Sequence, residues 1–433
     1  MRRFLAATVL IITGAFAGAT VDRAAARPPW AVVEEQLPFT PLPGARALWG
    51  VHAGAGYRVE VPADWNGDLV LYAHGYRGEG PELTVSDPPI RSHLIAEGYA
   101  WAASSYRANG YVPGTGAQDT HRLLQRFGSL VGPPDRVYLI GQSMGGHVTG
   151  VAIEQWPRSF DGAQPECGVM ADNELFDFYQ DAYLVAETVA GNVPDVPTPA
   201  NYFTSPDGWP ATRAVLGSPF PIRLTAAGER YKAIVEQLTG GERPTFDSGF
   251  AGLFGGAFAF NFGVAMTGPG RDNVGTVYQF DSDPAISAEE AAFNEQIVRI
   301  AADPRYRHRN GLGRLPGSDV VSPPISGDIS IPVLSTHTLG ELFVPFHMQQ
   351  IYARRVADHG HADLLVTRAI RDISHCTLST EERIAAFDDL VAWVETGVRP
   401  AGDEILDPDA VADDQFGCQF TDPDRSFLPA CEP

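Results

Sequence analysis

The sequence predicts an α/β protein in which a doubly wound, mostly parallel sheet is interrupted by an inserted, mainly helical cap. Three observations predict it. Asp68 to His74, reading DLVLYAH, is a continuous apolar run of the kind that a parallel strand buried on both faces requires. Strand-like and helix-like patterns alternate from Tyr57 to Trp156 and again from Ile331 to Gly397, the rhythm of parallel strands joined by crossover helices. From about Cys167 to Pro324 that rhythm breaks.

Taken in order, Tyr57 to Val61 alternates like an edge strand, and Asp68 to His74 is the buried strand. Ile90 to Gly98 reads as a helix, Tyr99 to Tyr106 as a strand, and Gln118 to about Val131 as a second helix. The β-branched run from Arg136 leads to Ser143. Val148, Val151, Ala152 and Trp156 then recur at helical spacing until Pro157 stops the helix. A short strand is expected near Phe160 to Ala163.

In the insertion, Asn173 to Ala190 reads as a helix rich in aromatics (Phe176, Phe178, Tyr179, Tyr183). Gly249 to Gly270 is a Gly/Phe/Ala-rich apolar stretch, and Ile286 to Ala302 is helical again. The alternation resumes with a strand at Ile331 to Thr336, a helix from Pro345 to His359 stopped by Gly360, and a strand at Asp363 to Ile370. A last helix opens with a capping box, Ser379 and Glu382. It shows Ile384, Phe387, Val391 and Val394 on one face and ends at Gly397.

With 433 residues, 44% of them hydrophobic, the chain can bury a large core; one α/β domain with an insertion and two domains are both compatible with that length. Arg2 and Arg3, the apolar stretch Phe4 to Ala19, and small residues offering cleavage after Ala19 or Ala26 suit a secretory signal; the alternative is an uncleaved anchor, for which the stretch is short. No later segment is apolar enough to span a bilayer, so a secreted or periplasmic protein without stable membrane association is expected.

The expected division is residues 1–26 signal, 27–166 first part of the core, 167–324 cap, 325–400 second part of the core, and 401–433 tail. The net charge of −22 disfavours nucleic acid and anionic membrane surfaces; it suits neutral or cationic substrates, or serves solubility alone. The four cysteines, Cys167, Cys376, Cys418 and Cys431, permit two disulfides with three connectivities. Cys418 with Cys431 would close a short loop in the tail, leaving Cys167 with Cys376.

The segment RVYLIGQSMGG, Arg136 to Gly146, carries the chemistry. A serine on so sharp a strand-to-helix turn holds its hydroxyl out of the backbone, and glycines at both flanking positions relieve the crowding. Because glycine is 45 of 433 residues, Gly-x-Ser-x-Gly alone is a weak pattern; the strand before it and the helix after it give it weight. The alternative is a Gly-rich turn in a Rossmann-like unit. A serine nucleophile needs a base, and the base needs a carboxylate, both from loops at the carboxyl edge of the sheet. His375 follows the strand Asp363 to Ile370, and Glu341 follows the strand Ile331 to Thr336, so both belong to that edge.

With these residues the chain resembles the α/β-hydrolase superfamily over roughly Gly44 to Pro400, the cap excepted. His74-Gly75 matches the family's His-Gly pair at the end of an early strand, and Gly141 to Gly145 its nucleophile elbow. Glu341 before Val344-Pro345 matches the acid, where the family more often has Asp, and His375 before the last helix matches the base. The resemblance implies a Ser143–His375–Glu341 triad and an oxyanion hole made by the backbone N–H groups of Tyr76 and Met144. In that light Cys167 and Cys376, on the same sheet edge, are expected to pair and brace the His375 loop.

Other candidates fare worse. His147, one turn past Ser143, reads as a core residue. Asp172 is the reserve acid should Glu341 point away. His359, His361 and Asp363 look metal-like but have no matching fourth ligand, and Asp281, Asp283 and Glu289 lack the EF-hand pattern, so no metal and no cofactor are expected. Hydrolysis of a small ester through an acyl-enzyme is the expected reaction. An amidase or peptidase on the same triad is the alternative, and a silent binding protein on the same fold is the alternative from another class.

Overall fold

The structure, a computed structural model, describes residues 30–196, 198–199, 201–257, 270–303, 323–423, 425 and 431. The expected signal at 1–26 and most of the 258–270 part of the Gly/Phe/Ala-rich stretch lie outside the described residues.

Eight strands form the central sheet: β1 (Ala45–His52), β2 (Ala55–Pro62), β3 (Leu69–Ala73), β4 (Ala100–Ser104), β5 (Val137–Gln142), β6 (Gly162–Glu166), β7 (Val333–Thr338) and β8 (Leu365–Ile370). Their spatial order is β1-β2-β4-β3-β5-β6-β7-β8. The pairs β1–β2 and β2–β4 are antiparallel, and every later pair is parallel. This is the doubly wound, mostly parallel sheet that the alternating pattern predicts. The apolar run of β3 is continuous because its alternate residues enter different cores. Leu69, Leu71 and Ala73 join one face, and Val70 and Tyr72 join the other.

Between these strands lie α1 (Arg91–Ala96), α2 (Pro113–Leu130) and α3 (Met144–Gln155). Helix α2 starts five residues before the expected Gln118, with Pro113 in its first turn. Its Gly116 permits close approach to α3, since a Cβ there would lie 2.6 Å from Val148 Cγ2.

One expectation is corrected. The strand containing Tyr57 to Val61 is not at the edge, because β1 pairs along its whole length. The turn between them uses Ala53 and Gly54, with φ of 51° and 87°. An alanine stands where such turns usually have Asn or Asp, so the hairpin signal is muted.

The segment between β6 and β7 carries α4 (Glu174–Val189), α5 (Trp209–Leu216), α6 (Ala226–Leu238), α7 (Phe246–Gly252) and α8 (Ala288–Gln296), with a small hairpin of Gly217–Pro219 and Ile222–Leu224. Helix α8 is shorter than the expected Ile286 to Ala302. Ile297 turns extended, and Ile300 exchanges hydrogen bonds with Asn273 instead.

The chain then forms α9 (His347–Asp358), α10 (Thr380–Thr396) and α11 (Pro408–Val411). Both arms of the Ser379–Glu382 capping box are made, and Gly397 closes α10 at φ 72°. Among the described residues, no helix is long and apolar enough to cross a membrane.

Candidate active site

Ser143 is the single residue between β5 and α3, and the turn forces it to φ 57°, ψ −122°. Its N–H donates to the Glu166 carbonyl at 3.0 Å, and its own carbonyl accepts from Gly146 N–H at 2.9 Å, so both sides of the peptide are held. The flanking glycines are steric necessities. A Cβ on Gly141 would strike the Gly145 carbonyl, and one on Gly145 would strike the carbonyl of Ala73 in β3. The elbow is thus wedged between its own helix and the neighbouring strand.

His375 lies in the loop between β8 and α10, and Glu341 in the loop between β7 and α9. Both loops leave the carboxyl ends of parallel strands beside the elbow. His375 Nε2 is 2.8 Å from Ser143 Oγ, and His375 Nδ1 is 2.5 Å from Glu341 Oε2. The structure therefore brings these three side chains together in hydrogen-bonding sequence. Glu341 is 1% exposed, while the His375 side chain is 23% exposed and open to an approaching molecule. The second oxygen of Glu341 accepts from Thr338 Oγ1 at 2.8 Å, and Val344 N–H approaches Oε2 at 3.3 Å. Buried lone pairs on the carboxylate are thus met by donors.

The two loops are tied to one another. Gly340 N–H donates to the Asp372 carbonyl at 2.8 Å, and Asp372 Oδ1 accepts from the N–H groups of Ile373 and Ser374. The Phe343 ring packs 4.8 Å from the His375 ring. Asp372 and Phe343 were not among the sequence candidates. Their signal is proximity alone: each lies within three residues of His375 or Glu341.

Cys167 and Cys376 are joined, with Cα atoms 5.4 Å apart, as are Cys418 and Cys431 at 5.6 Å. The first bridge ties the residue after β6 to the residue after His375. Among the described residues, Cys167, His375 and Cys376 form the one cluster of metal-ligand type, and two of its three donors are spent on each other.

Gly75 lies against the elbow: a Cβ added to it would be 3.1 Å from Ser143 Cβ and 3.6 Å from Ser143 Oγ. That puts the main chain entering Tyr76 beside the hydroxyl. Met144 is the first residue of α3, so its N–H has no intrahelical acceptor. His74 is buried and its pKa is pushed down to about 3, by burial first and then by the charge of Arg77. The ring is therefore neutral. Nδ1–H donates to the Gly75 carbonyl at 2.7 Å, and the ring stacks on Tyr106, whose hydroxyl donates to the His74 carbonyl.

The remaining candidates lie elsewhere. His147 is buried between the Tyr111 hydroxyl at 2.8 Å and the Pro323 carbonyl at 2.7 Å. Asp172 accepts from Arg355 at 2.6 Å and from Ile325 N–H at 3.1 Å, and makes no contact with His375. His361 pairs with Asp328 at 3.1 Å, and Asp281 and Asp283 accept from nearby main-chain N–H groups within their own turn.

No protein-family model matches the chain. The o-phthalyl amidase of Xanthobacter agilis is 23% identical to it over 402 residues, covering 80% of this chain and 87% of that protein. Similar solved structures include feruloyl esterase B from Aspergillus oryzae, 15% identical with a TM-score of 0.44 over 82% of each chain. Another is the acylaminoacyl peptidase of Pyrococcus horikoshii, 12% identical with a TM-score of 0.39 over 85% of this chain and 44% of that one.

Proposed function

We propose that this chain is an exported serine hydrolase that cleaves carboxylic esters through an acyl-enzyme on Ser143. The observation that carries the reading is the run of contacts from Ser143 Oγ to His375 Nε2 at 2.8 Å and from Nδ1 to Glu341 Oε2 at 2.5 Å. Ser143 attacks the carbonyl carbon as His375 takes its proton. Glu341 holds the imidazole in the Nδ1–H tautomer and offsets the charge that forms on it. The N–H groups of Met144 and Tyr76 receive the oxyanion, a contribution of about 3 kcal/mol per donor. His375 then protonates the leaving alkoxide, and a water activated by the same imidazole releases the acid. The helices between β6 and β7 act as the cap over this edge, and the two disulfides support export to an oxidising compartment.

Hydrolysis of p-nitrophenyl acetate tests the reading. Wild type should turn it over, and Ser143→Ala should lose all but background activity with an unchanged circular dichroism spectrum. Turnover by Ser143→Ala equal to wild type would remove the proposal. A second reading, amide cleavage by the same triad, is favoured by the 23% identity to an amidase over most of both chains. Comparing p-nitroacetanilide with p-nitrophenyl acetate separates the two.

A further inference from the structure

Glu341 faces two imidazoles, not one. His375 Nδ1 lies 2.5 Å from Oε2, and His337 Nε2 lies 3.4 Å from Oε1. A protonated His337 would pair with the carboxylate and weaken its hold on the imidazolium that forms at His375.

The surroundings of His337 dictate which state it takes. Gln349, on α9, has its amide orientation fixed by two neighbours. The Ser335 hydroxyl donates to its Oε1, and its Nε2 lies 3.2 Å from the Gly168 carbonyl, which can only accept. The same amide NH₂ lies 3.1 Å from His337 Nδ1, so Nδ1 must be the unprotonated, accepting nitrogen. The ring proton is then on Nε2, where it donates to the Val344 carbonyl at 2.7 Å. Ser335, His337, Glu341 and Gln349 are each 1% exposed, so water offers no substitute partner.

We infer that Gln349 is a positioning residue: it locks His337 as a neutral Nε2–H imidazole, and so reserves the Glu341 carboxylate for His375. The inference rests on the triad reading above. The titratable and charged groups facing His337 agree with it. Burial lowers the His337 pKa, Glu341 and the Val344 carbonyl raise it, and His375 from the base loop and Arg243 from the α6–α7 connection lower it further. His347, at the start of α9, is itself held neutral, with its pKa lowered to about 3.

Two measurements test the proposal. In ¹⁵N-imidazole NMR of the wild-type protein, the resonance that disappears in His337→Asn should report a neutral Nε2–H ring from pH 5 to pH 8. A ring that titrates near its ordinary value, or that carries its proton on Nδ1, overturns the proposal whether or not the protein hydrolyses anything.

The second measurement uses Gln349→Glu, which places an acceptor opposite Nδ1 and should protonate His337. With its counter-charge shared, His375 binds its proton less tightly. The acid limb of kcat/KM for p-nitrophenyl acetate should move about one pH unit lower, and kcat should fall roughly tenfold or more. A folded Gln349→Glu protein with wild-type kcat and an unmoved acid limb overturns the proposal, and loss of kcat without a moved limb reduces Gln349 to a structural role and overturns it too. Absence of turnover in wild type, or its survival in Ser143→Ala, is instead a failure of the hydrolase reading, which leaves the NMR measurement to decide.

Discussion

The hydroxyl of Tyr179 donates to the main-chain carbonyl of Phe343, and the Phe343 ring packs 4.8 Å from the imidazole of His375. A side chain of the inserted segment thus holds the loop that carries both Glu341 and the aromatic wall beside His375. Tyr179→Phe removes this one hydrogen bond and keeps the ring, so the protein should lose about 1 kcal/mol of stability. Slight misplacement of the loop should lower kcat severalfold or more. Steady-state kinetics on p-nitrophenyl acetate check it, and an unchanged kcat would show that the loop needs no help from α4.

Glu341→Gln should preserve size and burial while removing the charge and inverting the donor pattern offered to His375. By analogy with the loss of a triad carboxylate, kcat should fall by about three to four orders of magnitude with KM little changed. Asp172→Asn should do the opposite. Asp172 is occupied by Arg355 and Ile325, so its loss should lower the melting temperature and leave kcat near wild type. If Asp172→Asn alone abolished turnover, the acid would have been misassigned.

What the sequence disclosed and what it hid divide along the range of the interactions. The elbow was legible because the sterics that demand Gly141 and Gly145 act through a few consecutive residues and one neighbouring strand. The capping box at Ser379 was legible for the same reason, since both of its arms lie within four residues. Strand β1 was hidden by a turn built from Ala53 and Gly54. Helix α6 carries local signals, an N-cap at Thr225 and apolar Tyr231, Ile234 and Val235 at helical spacing, yet those say nothing of where it docks. The grip of Tyr179 on Phe343 spans 164 residues, and Gln349 reaches Gly168 across 181, so no spacing rule could have paired them.

Stability should depend on pH through two buried groups with opposite signs. His74 has a folded pKa of about 3 against an ordinary 6.5, so between those values the unfolded chain binds a proton that the folded chain does not. Its contribution is therefore lost as pH falls from about 6.5 toward 3. Asp181, buried and bonded to the Tyr278 hydroxyl, is pushed up to about 8, by burial first. It keeps a proton that the unfolded chain releases, so its contribution is lost as pH rises from about 4 to 8. Asp181→Asn retains a neutral group of the same shape and should raise the urea midpoint at pH 8 by clearly more than at pH 5, where only about one pH unit of the linkage has been crossed. A midpoint that is unaffected at pH 8 would mean that Asp181 is ionised in the folded protein.

The two disulfides should be separable by their effect on activity. Cys167–Cys376 joins residues 209 apart and ends beside His375, whereas Cys418–Cys431 joins residues 13 apart in the tail. Loop-closure entropy assigns about 5 kcal/mol to the first bridge and about 3 kcal/mol to the second, both as upper figures. The difference in kinetics should be larger than this difference in stability. Residue 376 takes a positive φ of 58°, and its sulfur bridge anchors that backbone to the end of β6, so a Cys167→Ser/Cys376→Ser protein leaves the neighbouring imidazole free to drift from Ser143 Oγ. A loss of kcat of roughly a hundredfold for about 1 Å of drift is expected at temperatures where the protein is still folded. Cys418→Ser/Cys431→Ser should melt earlier and keep wild-type kcat. Equal kinetic losses in both double variants, or none in the first, would mean that the bridge beside His375 serves stability alone.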